Sequence, residues 1–210
     1  MERYTIYKGL SLFKSMSLLF VFAFFYLGVF LDITKVPHKS DIIVSLGGSD
    51  ISRINTSIEL LEEHYSVKNQ IFYFGTKKQC YNVIHSIKCI EGMKNTMDEL
   101  NYIDTVVKDK EYSSIIIVTS PPHSKRVHIM IENFTKNLKN KYVIVSSHPN
   151  WWHKYYYFLN IRALVYSFLE VSKIIYNDMK YTFLKDTVVS QKLDYISNKI
   201  KIYIYNEFKI

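Results

Sequence analysis

The sequence predicts an α/β domain, a mostly parallel sheet between layers of helices, carried behind one N-terminal membrane-spanning helix. Three observations predict it: residues 15–31 carry no charge, four short apolar runs each end in Gly, Ser or Thr, and helical patterns alternate with those runs. Of the 210 residues, 48% are hydrophobic and 22% charged, which excludes wholesale disorder and a polytopic membrane protein. Without a short anchor, about 170 residues remain, enough for one compact domain with a buried core.

The first element is the run SMSLLFVFAFFYLGVFL at 15–31, apolar all round. Extended back to residue 10 across Lys14, whose long side chain can snorkel, it is long enough to cross hydrocarbon. A helix packed on a domain this small would keep a polar stripe toward water, and a cleavable signal peptide a small-x-small site after the apolar run; neither is present. The lipid bilayer is therefore the expected partner of residues 10–31. Arg3, Lys8 and Lys14 precede the run, whereas Asp32, Lys35, Lys39 and Asp41 follow it, so the positive-inside preference puts the N-terminal stub in the cytoplasm and the domain outside. Residues 1–31 form stub and anchor, residues 32–40 (DITKVPHKS) a polar, proline-containing linker, residues 41–176 the domain, and residues 177–210 an extension packing on or near it.

The formal charge is +8, of which residues 1–40 contribute +3, leaving the domain mildly basic. No arginine-rich run appears, so nucleic acid is not an expected partner; an anionic lipid or phosphate-bearing small molecule fits better. Cys80 and Cys89 match neither a C-x-x-C nor a zinc-ribbon spacing. They read either as a disulfide in an exported domain or as small apolar fillers in a reduced one. No metal site is expected, since His123 and His128 stand five apart and do not share a helix face.

Within the domain, DIIVSLGGSD at 41–50 is a strand buried on both faces that turns sharply into the helix SRINTSIELLEEHY. QIFYFGT at 70–76 is the second strand, and a helical pattern runs from about 95 to 108. SSIIIVTSPPHSKRV couples the third strand to a helix whose first turn accepts proline. KYVIVSSHP at 141–149 is the fourth strand. YYYFLNIRALVYSFLEVSKIIY at 155–176 is apolar but interrupted by Asn160, Arg162, Glu170 and Lys173, and reads as an amphipathic helix against domain or membrane. Trp151, Trp152 and Tyr155 to Tyr157 suit either packing or a membrane interface, with packing favoured. The alternating KIKIYIY near the end reads either as an edge strand or as a continuation of the preceding helical pattern.

In open parallel sheets the ligand crevice lies beyond the carboxyl ends of the strands. There the sequence has Gly47, Gly48, Ser49 and Arg53 after the first strand, Gly75 after the second, Thr119, Ser120, His123 and Arg126 after the third, and Ser146, Ser147 and His148 after the fourth. Glycines, small hydroxyls and cations around helix N-termini suit an anion, because free N–H groups and the positive helix end favour negative charge. Taken singly, the glycines also serve turns and the hydroxyls serve caps. Walker A, G-x-G-x-x-G and G-x-S-x-G patterns are absent.

The same residues, IIVSLGG with Arg53, then EGMKNTMDEL, then IIIVTSPPHSKRV, in that order, resemble the YdcF, SanA and ElyC family over roughly residues 41–175. The most specific part is VTSPPHSKR. The resemblance implies a Rossmann-like α/β fold behind an N-terminal membrane helix, a place in the bacterial inner membrane with an extracytoplasmic domain, and a role in envelope physiology, cell-wall precursors included. It supplies no established reaction. It also adds Glu91, Asn95 and Thr96 to the site. Here the loop between Gly48 and Arg53 is shortened, and GTKK stands where a second glycine-rich turn is usual.

The roles that follow are Arg53 and Arg126 as clamps on an oxyanion, Asn95 and Thr96 as hydrogen-bond donors, His123 as general acid or base, and Glu91 orienting a cation. Three functions fit: phosphate hydrolysis or transfer on a nucleotide-like or lipid-linked precursor, a non-catalytic sensor or scaffold, and a transferase using a nucleotide-type cofactor such as S-adenosylmethionine. The last lacks an acidic ribose-binding residue after the second strand. No specific cofactor is implied.

Overall fold

A computed structural model describes residues 2–48, 50–80 and 87–184 and the single positions 195 and 199. In it a long helix, α1 (Glu2–Leu31), precedes a βα array: β1 (Ile42–Ser45), α2 (Ser52–Glu62), β2 (Ile71–Phe74), α3 (Lys77–Cys80), β3 (Ile87–Ile90), α4 (Thr96–Asp109), β4 (Ile115–Thr119), α5 (Pro121–Phe134), β5 (Tyr142–Ser146) and α6 (Ile161–Asp178). A 3-10 turn, Tyr157–Leu159, precedes α6, and a π-helical turn, Met179–Leu184, follows it. Residues 185–210 apart from 195 and 199, which include all of the expected edge strand but Lys199, lie outside the described residues.

All five strands pair in parallel in the order β3-β2-β1-β4-β5, with Val44 opposite both Phe72 and Ile117 and Thr119 opposite Ser146. This is a Rossmann-like α/β fold. From β1 the chain builds outward through β2 to β3, then returns to the other side of β1 with β4 and β5, so the order reverses between β1 and β4. Every residue of β1, β2 and β4 is buried, which is why these strands are continuous apolar runs without alternation. Ile42, Val44, Phe72, Ile115 and Ile117 meet Leu100, Ile103, Val107, Val127 and Met130 of α4 and α5 on one face. On the other, Ile43, Ile71, Ile116 and Val143 meet Leu60 of α2.

The fifth strand, β3, departs from the four expected. It is a sheet edge whose Lys88 is exposed, and it has only two fully apolar inward positions, so its pattern is faint. Cys80 at the end of α3 is disulfide-bonded to Cys89 in β3, with Cα atoms 5.6 Å apart, which fastens this edge. The helix expected from residue 155 begins at Ile161 instead, because Asn160 caps it: its side chain accepts from the N–H groups of Arg162 and Ala163.

The segment 32–40 is extended and fastened to the domain along its length. Asp32 accepts from the Ser146 hydroxyl (2.8 Å) and the Trp152 indole (3.2 Å), the Thr34 hydroxyl accepts from the Ser146 N–H, and the Lys35 N–H donates to the Ile144 carbonyl. These bonds cover the free edge of β5, which would otherwise present unpaired backbone groups. Ser124 Oγ, in the first turn of α5, donates to the Leu31 carbonyl at the end of α1 and accepts from Ile33 N–H. Helix α1 therefore joins the domain at the carboxyl end of the sheet. Residues Lys14–Leu31 of α1, mean hydropathy 1.9, are long and apolar enough to cross a membrane.

Candidate functional site

The order reversal between β1 and β4 leaves a crevice beyond the strand ends, and a cleft of about 1090 Å³ opens there. Its floor begins at Gly47, whose N–H donates to Glu99 Oε1 of α4 at 3.0 Å. A β-carbon on Gly47 would lie 2.6 Å from that oxygen and 2.7 Å from the Phe74 carbonyl, so only glycine admits the approach. Arg53, in the first turn of α2, folds back over this turn. Its Nη1 donates to the carbonyls of Gly47 and Leu46 and its Nη2 to Ser120 Oγ (2.7 Å), while its Nε, out of reach of solvent, has no hydrogen-bond partner. Among the described residues Arg53 forms no ion pair.

The opposite wall comes from α5 and α6. Ser120 precedes α5 but does not cap it, its hydroxyl being taken by Arg53; prolines 121 and 122 occupy the first turn, where missing N–H groups cost nothing. One and two turns on stand His123 and Arg126, both directed at Glu170 of α6. Glu170 Oε2 accepts from Arg126 Nε at 2.6 Å and lies 3.2 Å from His123 Nδ1, while Oε1 accepts from Lys173 Nζ at 2.7 Å. Arg126 Nη1 also donates to the Thr96 hydroxyl (3.3 Å), linking α5 to the start of α4.

Burial and these neighbours set the ionisation. Burial and then Arg126 push His123 down to about 3 against the pull of Glu170, so its imidazole is neutral at physiological pH. Burial opposes ionisation of Glu170, but Arg126, Lys173 and His123 hold it well below the usual carboxylate range. With Glu170 ionised, His123 carries its proton on Nδ1 and its lone pair on Nε2. Glu99 goes the other way: burial raises it to about 7 despite the Gly47 N–H, Arg53 and Arg126. Its ionisation alone among the shifted groups lining the cleft is brought close to neutrality.

Gly47, Gly48, Arg53, Gly75, Asn95, Thr96, Ser120, His123 and Arg126 of the sequence-derived set all line this cleft. Asn95, however, spends its side-chain oxygen capping α4 through the N–H groups of Met97 and Asp98, and its amide donates to Asp98. Thr119 is fully buried outside the lining, with its hydroxyl unpartnered. Glu91 is exposed beyond β3 and does not line the cleft, and Ser49 lies outside the described residues. His148 borders a separate cleft of about 630 Å³ between α2 and Arg162. Among the described residues no group of three His, Cys, Asp or Glu side chains is placed to share a metal ion.

No family model matches this chain, and no curated protein matches it.

Glu99, Glu170 and Lys173 also line the cleft, and the sequence pattern does not assign them to it. A signal existed for two of them. Glu170 and Lys173 interrupt an apolar helix three residues apart, a spacing that lets them pair on one face. Glu99 follows a helix cap by one turn, where acidic residues are ordinary, so nothing local marked it as buried.

Proposed function

We propose that this chain is a single-pass membrane protein whose domain binds a phosphate-bearing ligand in the cleft beyond β1 and β4. The observation that carries the reading is Arg53: a partly buried guanidinium that forms no ion pair among the described residues and lines an open cleft. Glu99, Glu170 and Asp50 favour its charge only at a distance, and burying a cation without a direct partner is costly, so a bound oxyanion would supply the missing contact. Lys78 and Lys94 at the rim, and Arg126 and Lys173 at the wall, two cations that share the single charge of Glu170, add to the attraction. The resemblance of VTSPPHSKR and its companion motifs to the YdcF, SanA and ElyC family supports a lipid-linked envelope precursor as the ligand. The disulfide favours an oxidising compartment, hence an extracytoplasmic domain.

On the enzymatic reading, hydrolysis or transfer at the phosphate uses Glu99 as the proton donor, since it is the carboxyl poised near neutrality, with Arg53 stabilising charge on the transferred group. His123 Nε2 accepts the nucleophile's proton. A second reading, a non-catalytic sensor, is favoured by one observation: His123 is locked to Glu170 and held at about 3, which makes it a weak base at neutral pH.

A thermal-shift screen of the full chain in detergent against inorganic phosphate, pyrophosphate and a short-chain prenyl phosphate tests the binding. A ligand at a hundredfold excess over its dissociation constant adds about 2.7 kcal/mol. Stabilisation of the wild type that is lost in Arg53→Ala supports the proposal; equal shifts in both, or none, overturn it. Phosphate release abolished by Glu99→Gln with binding kept selects the enzyme over the sensor.

A further inference from the structure

Helix α1 does not part from the domain at its end. The Phe24 ring lies 5.9 Å from Tyr157 and 6.0 Å from Phe158, Phe25 meets Phe158 edge-on at 5.0 Å, and the Tyr157 hydroxyl donates to the Phe24 carbonyl. At Gly28 a β-carbon would collide with the Lys154 carbonyl, so the helix and the 154–158 turn are in backbone contact. Phe24 stands seven residues before the helix end, about 10 Å down its axis at 1.5 Å per residue.

That depth fixes the turn's position relative to a bilayer. The 18-residue apolar window Lys14–Leu31 spans about 27 Å, already short of the roughly 30 Å of hydrocarbon. Raising α1 until Phe24 clears the bilayer would carry Lys14 deep into hydrocarbon and bring Lys8 in after it. The turn that touches Phe24 and Phe25 is therefore at the membrane boundary. Its outward side chains suit that place: Tyr155 is 56% exposed, Tyr156 59%, Leu159 76% and Ile161 65%. Exposed apolar groups in such a patch mark a contact surface, and tyrosine rings concentrate at the lipid interface. Lys154, its amine 5.1 Å from the Tyr155 ring, can reach the headgroups.

We propose that residues 154–161 form a second membrane contact, embedded in the interfacial layer of the leaflet from which α1 emerges. The occupant of this apolar surface is the bilayer already crossed by α1, with which the surface is continuous. Helix α6 starts at Ile161 and carries Tyr166, Glu170 and Lys173 into the cleft wall, so this contact holds the cleft at a fixed height over the headgroups. The inference rests on the membrane anchor of the proposed function and is independent of the cleft's ligand.

The test places one added tryptophan at a time in the full chain, reconstituted in phosphatidylcholine vesicles with or without bromine on the acyl chains, and subtracts the wild-type emission. Tyr156→Trp and Leu159→Trp are the probes; Leu19→Trp, on the exposed surface of α1, and Val67→Trp, exposed at the amino ends of the strands, are the references. All four sites are exposed, so each substitution leaves the fold intact. The proposal expects brominated lipid to quench the added emission at 19, 156 and 159 by about half or more, and aqueous iodide to quench only 67. Quenching by lipid at 19 with iodide quenching at 156 and 159 overturns the second contact while leaving the anchor standing. Absence of lipid quenching at 19 overturns the anchor and this proposal together, and leaves anion binding by the cleft to its own test.

Discussion

Replacing Glu170 by alanine removes the carboxylate that Arg126, Lys173 and His123 share. Its side chain is 5% exposed and that of Arg126 12%, so the pair is largely shielded from water and little screened. Removing one partner of a buried ion pair costs about 3–5 kcal/mol, because the surviving charge is left without compensation. A domain of this size loses about 2–4 °C of melting temperature per kcal/mol, so Glu170→Ala should melt roughly 6–20 °C below the wild type at pH 7. The pH dependence carries its own sign. Glu170 is held below its ordinary value of 4.5, so its contribution is fully present above that value and is lost as pH falls through the lower, folded one. The gap between wild type and variant should therefore narrow as the protein is acidified below about pH 4.5. Melts of the full chain in detergent, followed by circular dichroism at pH 7 and in steps below pH 4.5, measure both. A loss under about 2 °C at pH 7, or a gap that does not change with acid, refutes the reasoning.

Glu99, raised from 4.5 to about 7, contributes stability that is present below pH 4.5 and lost as pH rises through 7, roughly 3 kcal/mol in all. Glu99→Gln should accordingly gain on the wild type by about 1.4 kcal/mol per pH unit from 4.5 to 7, read from urea melts across that range. Gly47→Ala forces a β-carbon against the Phe74 carbonyl, which cannot swing aside; a cost of about 1–3 kcal/mol and weakened phosphate binding are expected in the same thermal-shift assay. The Cys80–Cys89 bridge closes a loop with a sequence separation of 9. By the chain-entropy relation it contributes about 2.6 kcal/mol, so reductant should lower the wild-type melting temperature and leave the Cys80→Ala, Cys89→Ala double variant unchanged.

Four of the five strands are readable because burial on both faces makes them unbroken apolar runs. β3 is not, because an edge strand with Lys88 turned outward carries a mixed pattern. Arg53, His123 and Arg126 stand out in the sequence because a strand-end crevice confines the candidates to a few residues after each apolar run. Glu170 lies 44 residues beyond Arg126 and 47 beyond His123, and no local pattern announces a partner so distant. The segment 32–40 looks like a free linker by composition, yet its short polar side chains, Asp32 and Thr34, are what tie it to Ser146 and Trp152. Polarity in a sequence does not distinguish groups solvated by water from groups satisfied by the protein. The aromatic stretch shows the same division: Tyr157 is fully buried and Trp151 stacks on Tyr166, while Tyr155 and Tyr156 face outward.

The proposed binding of an anion at Arg53 is tested most directly by calorimetric titration of the full chain with pyrophosphate. The account predicts saturable binding that weakens with added salt and is lost in Arg53→Gln, while Lys88→Gln, changed on the exposed sheet edge, binds as the wild type does. Binding that survives Arg53→Gln unchanged, or no binding to the wild type at millimolar pyrophosphate, would contradict it.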